Sequence, residues 1–259
     1  MISRRGVLKA GSGLCTCAAC QTTTLSSPAN MISAEQPTRV QGSGYELHYV
    51  GTQRDTIMNG KLTAAIDLRS LASRPNLYGI GPIEQLRGEV TIIDSRPSLA
   101  RMRSDGSIQV TKDFETGAPF LVWAEVPAWH TMPIPAEVRS FTDVEAFVPR
   151  AAAMVGLDPQ RPLPFLIHGR EQLVEFHILN RIGDEPHNAE KHKKIQVRFE
   201  MKQAEAIIVG FHSSSHRGVF TAMDSSIHMH FQTPDNSASG HIQILELGSD
   251  TRLSLPLSA

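Results

Sequence analysis

Two histidines two residues apart, His228 and His230 in "SIHMHF", and a third eleven residues further on, His241 in "GHIQILEL", are the side chains of this sequence best suited to hold a metal. On a strand, the period of two puts His228 and His230 on one face and Ile227, Met229 and Phe231 on the other. The intervening "QTPDNSASG" is rich in turn formers, so His241 begins a returning strand whose side chain can come back beside the first pair. Three neutral imidazole nitrogens and one open position are what a catalytic zinc site requires. Spacing alone leaves a second reading open, in which the histidines are hydrogen-bonded members of an ordinary strand. His212 and His216 of "GFHSSSHRG" are candidates for the same pocket, with solvated loop histidines as the default.

The elements around this stretch read mostly as strands. "YELHYVG" alternates, "EVTIIDS" is β-branched, and "SDGSIQV" runs from an Asp-Gly turn into a strand, as in a hairpin. "APFLVWAEV" is a continuous apolar run suited to a sheet interior. "GKLTAAIDLRSLAS" carries Leu62, Ile66 and Leu71 at helical spacing, "YGIGP" reads as a glycine-rich turn, and "FTDVEAFVPRAAAMVGL" predicts a helix kinked or split at Pro149. Beyond the proline-flanked "DPQRPLPF", "FLIHGREQLVEFHIL" reads as paired strands and "NRIGDEPHNAEKHKK" as a charged loop, followed by further strands. The expected class is α+β: mixed and antiparallel β-sheets with a few helices, over residues 44–259, in two halves meeting near 156–165.

The 259 residues, 41% hydrophobic and 20% charged, suffice for one large or two smaller domains. A formal charge of −1 and the absence of a basic stripe argue against nucleic acid as a partner. No run is apolar and long enough for a transmembrane segment. Residues 1–34 differ in kind. "SRRGVLKA", with Arg4 and Arg5, matches a twin-arginine export signal, and a polar, disordered tether follows. The expected location is periplasmic or extracellular. All three cysteines, Cys15, Cys17 and Cys20, lie in this leader, so any metal in the body must be held by histidine and carboxylate. Cys20, ahead of Gln21, is also a candidate lipoprotein attachment point.

The run from "GFHSSSHRG" through "IHMHF" to "GHIQILEL" resembles the zinc-binding core of bacterial α-acetolactate decarboxylases. The likeness continues upstream through "GIGPIEQLRGEVTIIDS", "SDGSIQV" and "APFLVWAEV" in the same order, and covers about residues 50–247. The resemblance implies decarboxylation of 2-acetolactate, or a related branched 2-hydroxy-3-oxo acid, to acetoin and CO₂. It implies Zn²⁺ held by His228, His230 and His241, with Glu89 of "RGEV" as the pocket's catalytic glutamate. A homodimer is one option for assembly.

Two positions depart from the family pattern. Where the family carries an arginine, counting from Gly169, this chain has His177, a substrate-binding candidate that can meet a carboxylate when protonated but lacks the planar, always charged guanidinium fork. Arg181, four residues on, is the alternative substrate-binding cation. The family's carboxyl-terminal glutamate has no evident counterpart in "TRLSLPLSA". These departures keep open a different reading, a non-catalytic exported protein that uses the same fold to bind a metal or an oxyanion.

Overall fold

Short apolar runs broken by turns leave the backbone few ways to satisfy its polar groups except by pairing between strands, and the computed structural model, which describes residues 35–258, is built mainly of antiparallel sheet. The export-signal and tether readings, Cys20 included, concern residues outside those described. The chain enters through strands β1 (Thr38–Gln41) and β2 (Glu46–Val50) and helix α1 (Gln53–Asn59). It continues through β3 (Ile66–Asp67), β4 (Leu77–Pro82), β5 (Glu89–Ile93), β6 (Arg96–Met102), β7 (Ile108–Thr111), β8 (Gly117–Ala118) and β9 (Leu121–Glu125). After β10 (Trp129–Pro133) and helix α2 (Phe141–Met154) comes β11 (Leu163–Leu179). Helix α3 (Ala189–Lys194), β12 (Gln196–His212), β13 (Ile227–Gln232), β14 (Ser239–Glu246) and β15 (Arg252–Pro256) complete it.

Two large sheets result. The first runs in the order β1-β2-β9-β4-β5-β6-β7, and the second β10-β15-β11-β12-β13-β14, with β14 returning to pair with β11. The change of sheet falls between Glu125 and Trp129, and the 156–165 segment leads from α2 into β11. Alternation along β9 explains its continuous apolar run. Val122 and Ala124 enter the large core shared with the second sheet, whereas Leu121 and Trp123 enter a smaller core with Leu68 and Leu71 on the other side. In the large core Phe176 meets Phe231 edge to face at 4.6 Å. Each such fully buried side chain contributes roughly 1.5–3 kcal/mol.

The structure differs from the sequence reading in five places. Residues 60–73 form no α-helix; Ile66 sits in β3, a 3-10 turn spans Leu68–Leu71, and the helix is α1, earlier in the chain. Leu68 and Leu71 reach their core from a short turn, so apolar spacing there reflects burial, not helical period. "YGIGP" belongs to the buried strand β4, not to a turn, because Gly79 and Gly81 let the neighbouring strand approach: a Cβ on Gly81 would lie 2.5 Å from the Phe120 carbonyl oxygen. Helix α2 passes through Pro149 without a break, held by buried Val144, Phe147 and Val148 on one side of the proline and Ala151 and Ala152 on the other. Its N-terminus is fixed by a capping box between Ser140 and Asp143. The "paired strands" 163–179 are one 17-residue strand matched along its length by β12. The charged loop contains α3, capped by Asn188, whose side chain accepts from the Lys191 amide.

Candidate metal centre and its cavity

The odd residues of β13, Ile227, Met229 and Phe231, fill the large core, which leaves His228 and His230 on the opposite face, as the period of two requires. A turn closed by Thr233 and Ala238 returns the chain, and Asn236 adopts the left-handed conformation that this reversal needs. The register places His241 directly opposite His230. His228 Nε2 then lies 3.2 Å from His230 Nε2 and 3.0 Å from His241 Nδ1, and the three ligand atoms all fall within 4.8 Å of one another.

Surrounding groups fix the rings. His228 Nδ1 donates to the Phe220 carbonyl at 2.8 Å, so in the neutral ring Nε2 is left as a lone pair. His230 Nδ1 lies 3.3 Å from Thr91 Oγ1, which accepts from the Ser239 hydroxyl at 2.9 Å. Burial is the main force on all three imidazoles. It holds His228 down to about 4 and, with the neighbouring histidines adding repulsion, His230 and His241 well below the usual histidine range. Three unprotonated nitrogens face one another, an arrangement that a shared cation satisfies and that separate imidazoles do not. The donor set therefore fits a metal, and its all-nitrogen composition suits zinc with a position left open.

Glu89, the first residue of β5, is 2% exposed. Alternation along β5 turns Glu89 and Thr91 toward the histidines while Val90 and Ile92 enter the smaller core. Its Oε2 is 3.8 Å from His230 Nε2, its Oε1 is 3.5 Å from His177 Nε2, and the Leu179 amide donates to Oε1 at 3.3 Å. Burial raises the carboxyl well above the usual carboxylate range, against the opposing effect of the Leu179 amide.

The three histidines, Glu89 and His177 open into one cavity of about 390 Å³ between α1 and α3. Apolar side chains dominate its wall, with Ile57, Leu86, Phe120, Leu179 and Met223 among them. Arg181, expected from the sequence to reach the substrate, does not line this cavity: its guanidinium donates to Gln85 Oε1 and to the Glu185 carbonyl. The strand ends at Leu179, and Arg181 lies buried beyond it, its amide donating to the Leu86 carbonyl. His212 and His216 are also outside it. His216 accepts or donates to Ser213 Oγ at 2.8 Å and stacks on Phe220, and His212 is buried at the end of β12. Sequence reading missed Gln53, His192, Lys193 and Gln243. Asn188 ahead of Glu190 and Lys194 was the available signal for α3, a cap followed by an i,i+4 ion pair.

Comparison with known proteins shows the lineage and the shared fold. The sequence pattern of the alpha-acetolactate decarboxylase family matches residues 39–256. No curated protein sequence matches the chain. Among solved structures, alpha-acetolactate decarboxylase from Bacillus subtilis strain 168 superposes with a TM-score of 0.62 at 19% identity, covering 81% of this chain and 85% of its own. Acetolactate decarboxylase from Bacillus subtilis subspecies spizizenii gives 0.63 at 18% identity, with coverages of 81% and 85%. A Staphylococcus aureus protein described as of unknown function and similar to alpha-acetolactate decarboxylase gives 0.63 at 17% identity, with coverages of 81% and 84%. At these identities the superpositions establish the shared fold, and the pattern match over most of the sequence establishes the lineage: this chain belongs to the alpha-acetolactate decarboxylase family.

Proposed function

We propose that the protein is a zinc-dependent carboxy-lyase that converts 2-acetolactate, or a related branched 2-hydroxy-3-oxo acid, to acetoin or its homologue and CO₂. The observation that carries this reading is the convergence of three neutral imidazoles on one point, with a buried glutamate 3.8 Å from one of them, at the floor of a cavity. His228, His230 and His241 would hold the ion. Zinc, when bound, supplies a Lewis acid for negative charge developing on the substrate oxygens. In the reaction the bond from C2 to the carboxylate carbon breaks, CO₂ leaves, and one proton is taken up to complete the neutral product. Glu89 holds that proton, His177 steadies its carboxyl group, and the apolar wall limits water.

The test is acetoin and CO₂ formation from racemic acetolactate by zinc-loaded protein beside His228→Ala. Turnover in the first and none in the second is expected; zinc binding without turnover would sink the enzymatic reading. One observation favours a binding role instead: among the described residues no arginine lines the cavity, since His177 faces Glu89 and Arg181 is committed elsewhere. A binding protein would hold zinc and a hydroxy acid while leaving acetolactate unchanged.

The amino-terminal pattern around Arg4 and Arg5 supports an exported, periplasmic or extracellular location, with Cys20 as an alternative lipid anchor. Fractionation of cells expressing the full chain, with an Arg4→Lys, Arg5→Lys pair as control, tests it. Homodimer formation is tested by sedimentation.

A further inference from the structure

Of the residues that line the cavity, among those described, Lys193 is the one lysine or arginine. It lies in the last turn of α3, whose other lysines are already engaged: Lys191 with Glu185 at 3.1 Å and Lys194 with Glu190 at 2.6 Å. Lys193 makes no ion pair with a described carboxylate, and its side chain is exposed. Its neighbour His192 also lines the cavity but is turned to His187, 3.3 Å away. The rest of the polar lining is neutral amide, from Gln53, Gln196 and Gln243, or acidic, from Glu89 and the exposed Asp224. Toward an anion, every group except Lys193 and the metal centre is indifferent or repulsive.

We propose that Lys193 is the residue that recognises the carboxylate of the substrate, entering from α3 at the cavity mouth. The inference rests on the functional reading above, because it takes a 2-hydroxy acid as the ligand. Lysine does this as a hydrated point charge on a flexible stem, without the bidentate geometry of a guanidinium. Two consequences follow. Carboxylates of differing position are accepted, and recognition weakens with salt because the ammonium is exposed.

Calorimetry on the zinc-loaded protein tests this with 2-hydroxy-2-methylpropanoate, an unreactive hydroxy acid, and its neutral amide. Wild type is expected to prefer the acid, with an advantage that shrinks in high salt. Lys193→Gln should weaken acid binding by about tenfold, to the level of the amide, and leave zinc stoichiometry unchanged. Lys193→Arg should retain most of the preference, and Lys191→Gln, on the same helix but outside the cavity, should retain all of it. With acetolactate, the Lys193→Gln effect should appear as a raised KM at nearly constant kcat. Equal acid binding by wild type and Lys193→Gln would overturn the assignment of Lys193 alone. A zinc-loaded wild type that binds neither acid nor amide would overturn the hydroxy-acid reading and this assignment with it.

Discussion

His177 and His241 stand directly opposite each other on β11 and β14, with ring centroids 4.6 Å apart, so the pairing of two strands couples one of the three converging histidines to the residue that faces Glu89. His177 Nε2 faces Glu89, and its Nδ1 is buried without a partner. Burial, reinforced by repulsion from His192 and His228 where those rings take up a proton and by the Arg198 guanidinium, pushes His177 down to about 3, so the ring is neutral near pH 7. A neutral imidazole cannot replace an arginine as a carboxylate clamp. It can hold the carboxyl of Glu89 in place.

Replacing His177 with alanine should therefore act on turnover and not on metal content. We expect kcat to fall about 10- to 100-fold, in line with the loss of groups that orient a metal-site partner, with zinc retained at the wild-type level. Metal analysis beside steady-state kinetics separates the two effects. Loss of zinc in this variant would show instead that His177 supports the ligands themselves.

Glu89→Gln keeps an acceptor for the Leu179 amide and removes the proton carrier. The variant should fold, bind zinc, and lose about 10²- to 10⁴-fold in kcat. An unchanged rate would remove Glu89 from the chemistry.

Thr91 and Ser239 form the outer contact of His230 through hydroxyl groups with no exposure to solvent. Thr91→Val preserves shape and deletes the oxygen. Zinc affinity, measured by competition with a chelator, should drop about 10- to 100-fold. The protein should remain folded by circular dichroism, because the substitution leaves the strand and its packing in place.

Glu171 offers a test of stability away from the cavity. It is fully buried on β11, accepts from the Gly248 amide and Thr251 hydroxyl through Oε2, and leaves Oε1 without a partner. Burial outweighs those two bonds and raises its carboxyl from 4.5 to about 7. Between these values the folded state holds more protons than the unfolded one. Stability from this group is therefore complete below the unfolded value and is lost as pH rises through about 7, by about 3 kcal/mol at most. Urea melts of wild type and Glu171→Gln from pH 5 to pH 8 should diverge with that sign, the glutamine variant losing less toward pH 8. Parallel profiles would contradict the shift.

The convergence of His228, His230 and His241 was legible in the sequence because they are local: two lie on one strand face and the third follows a turn-forming stretch, so period and turn chemistry suffice to bring them together. Glu89 was legible only by likeness to a family, since nothing in "RGEV" says that a glutamate at a strand start is buried opposite a histidine 141 positions away. Two errors have a common cause. Leu62, Ile66 and Leu71 mimic a helical period because three separate settings bury them, Leu62 against Leu86 and Leu179, Ile66 in a two-residue strand and Leu71 in a 3-10 turn, and Gly79 and Gly81 mimic a turn because their missing side chains admit a neighbouring strand. In both, tertiary packing overrode the local signal. Arg181 lies outside the cavity lining for a third reason: four residues beyond His177 it has left the strand, and direction is no longer set by alternation.

The three ligand positions lie on a single hairpin, residues 228–241, whereas Glu89 comes from the other sheet, His177 from a different strand and Lys193 from a short helix in the connection between β11 and β12. The proposed functions of ion capture and ligand selection thus fall in separate stretches of the chain. On the assignments proposed above, a mutation in α3 would change which acid is admitted without touching a histidine, so descendants of such a chain could explore new substrates while the three-histidine hairpin passes on intact.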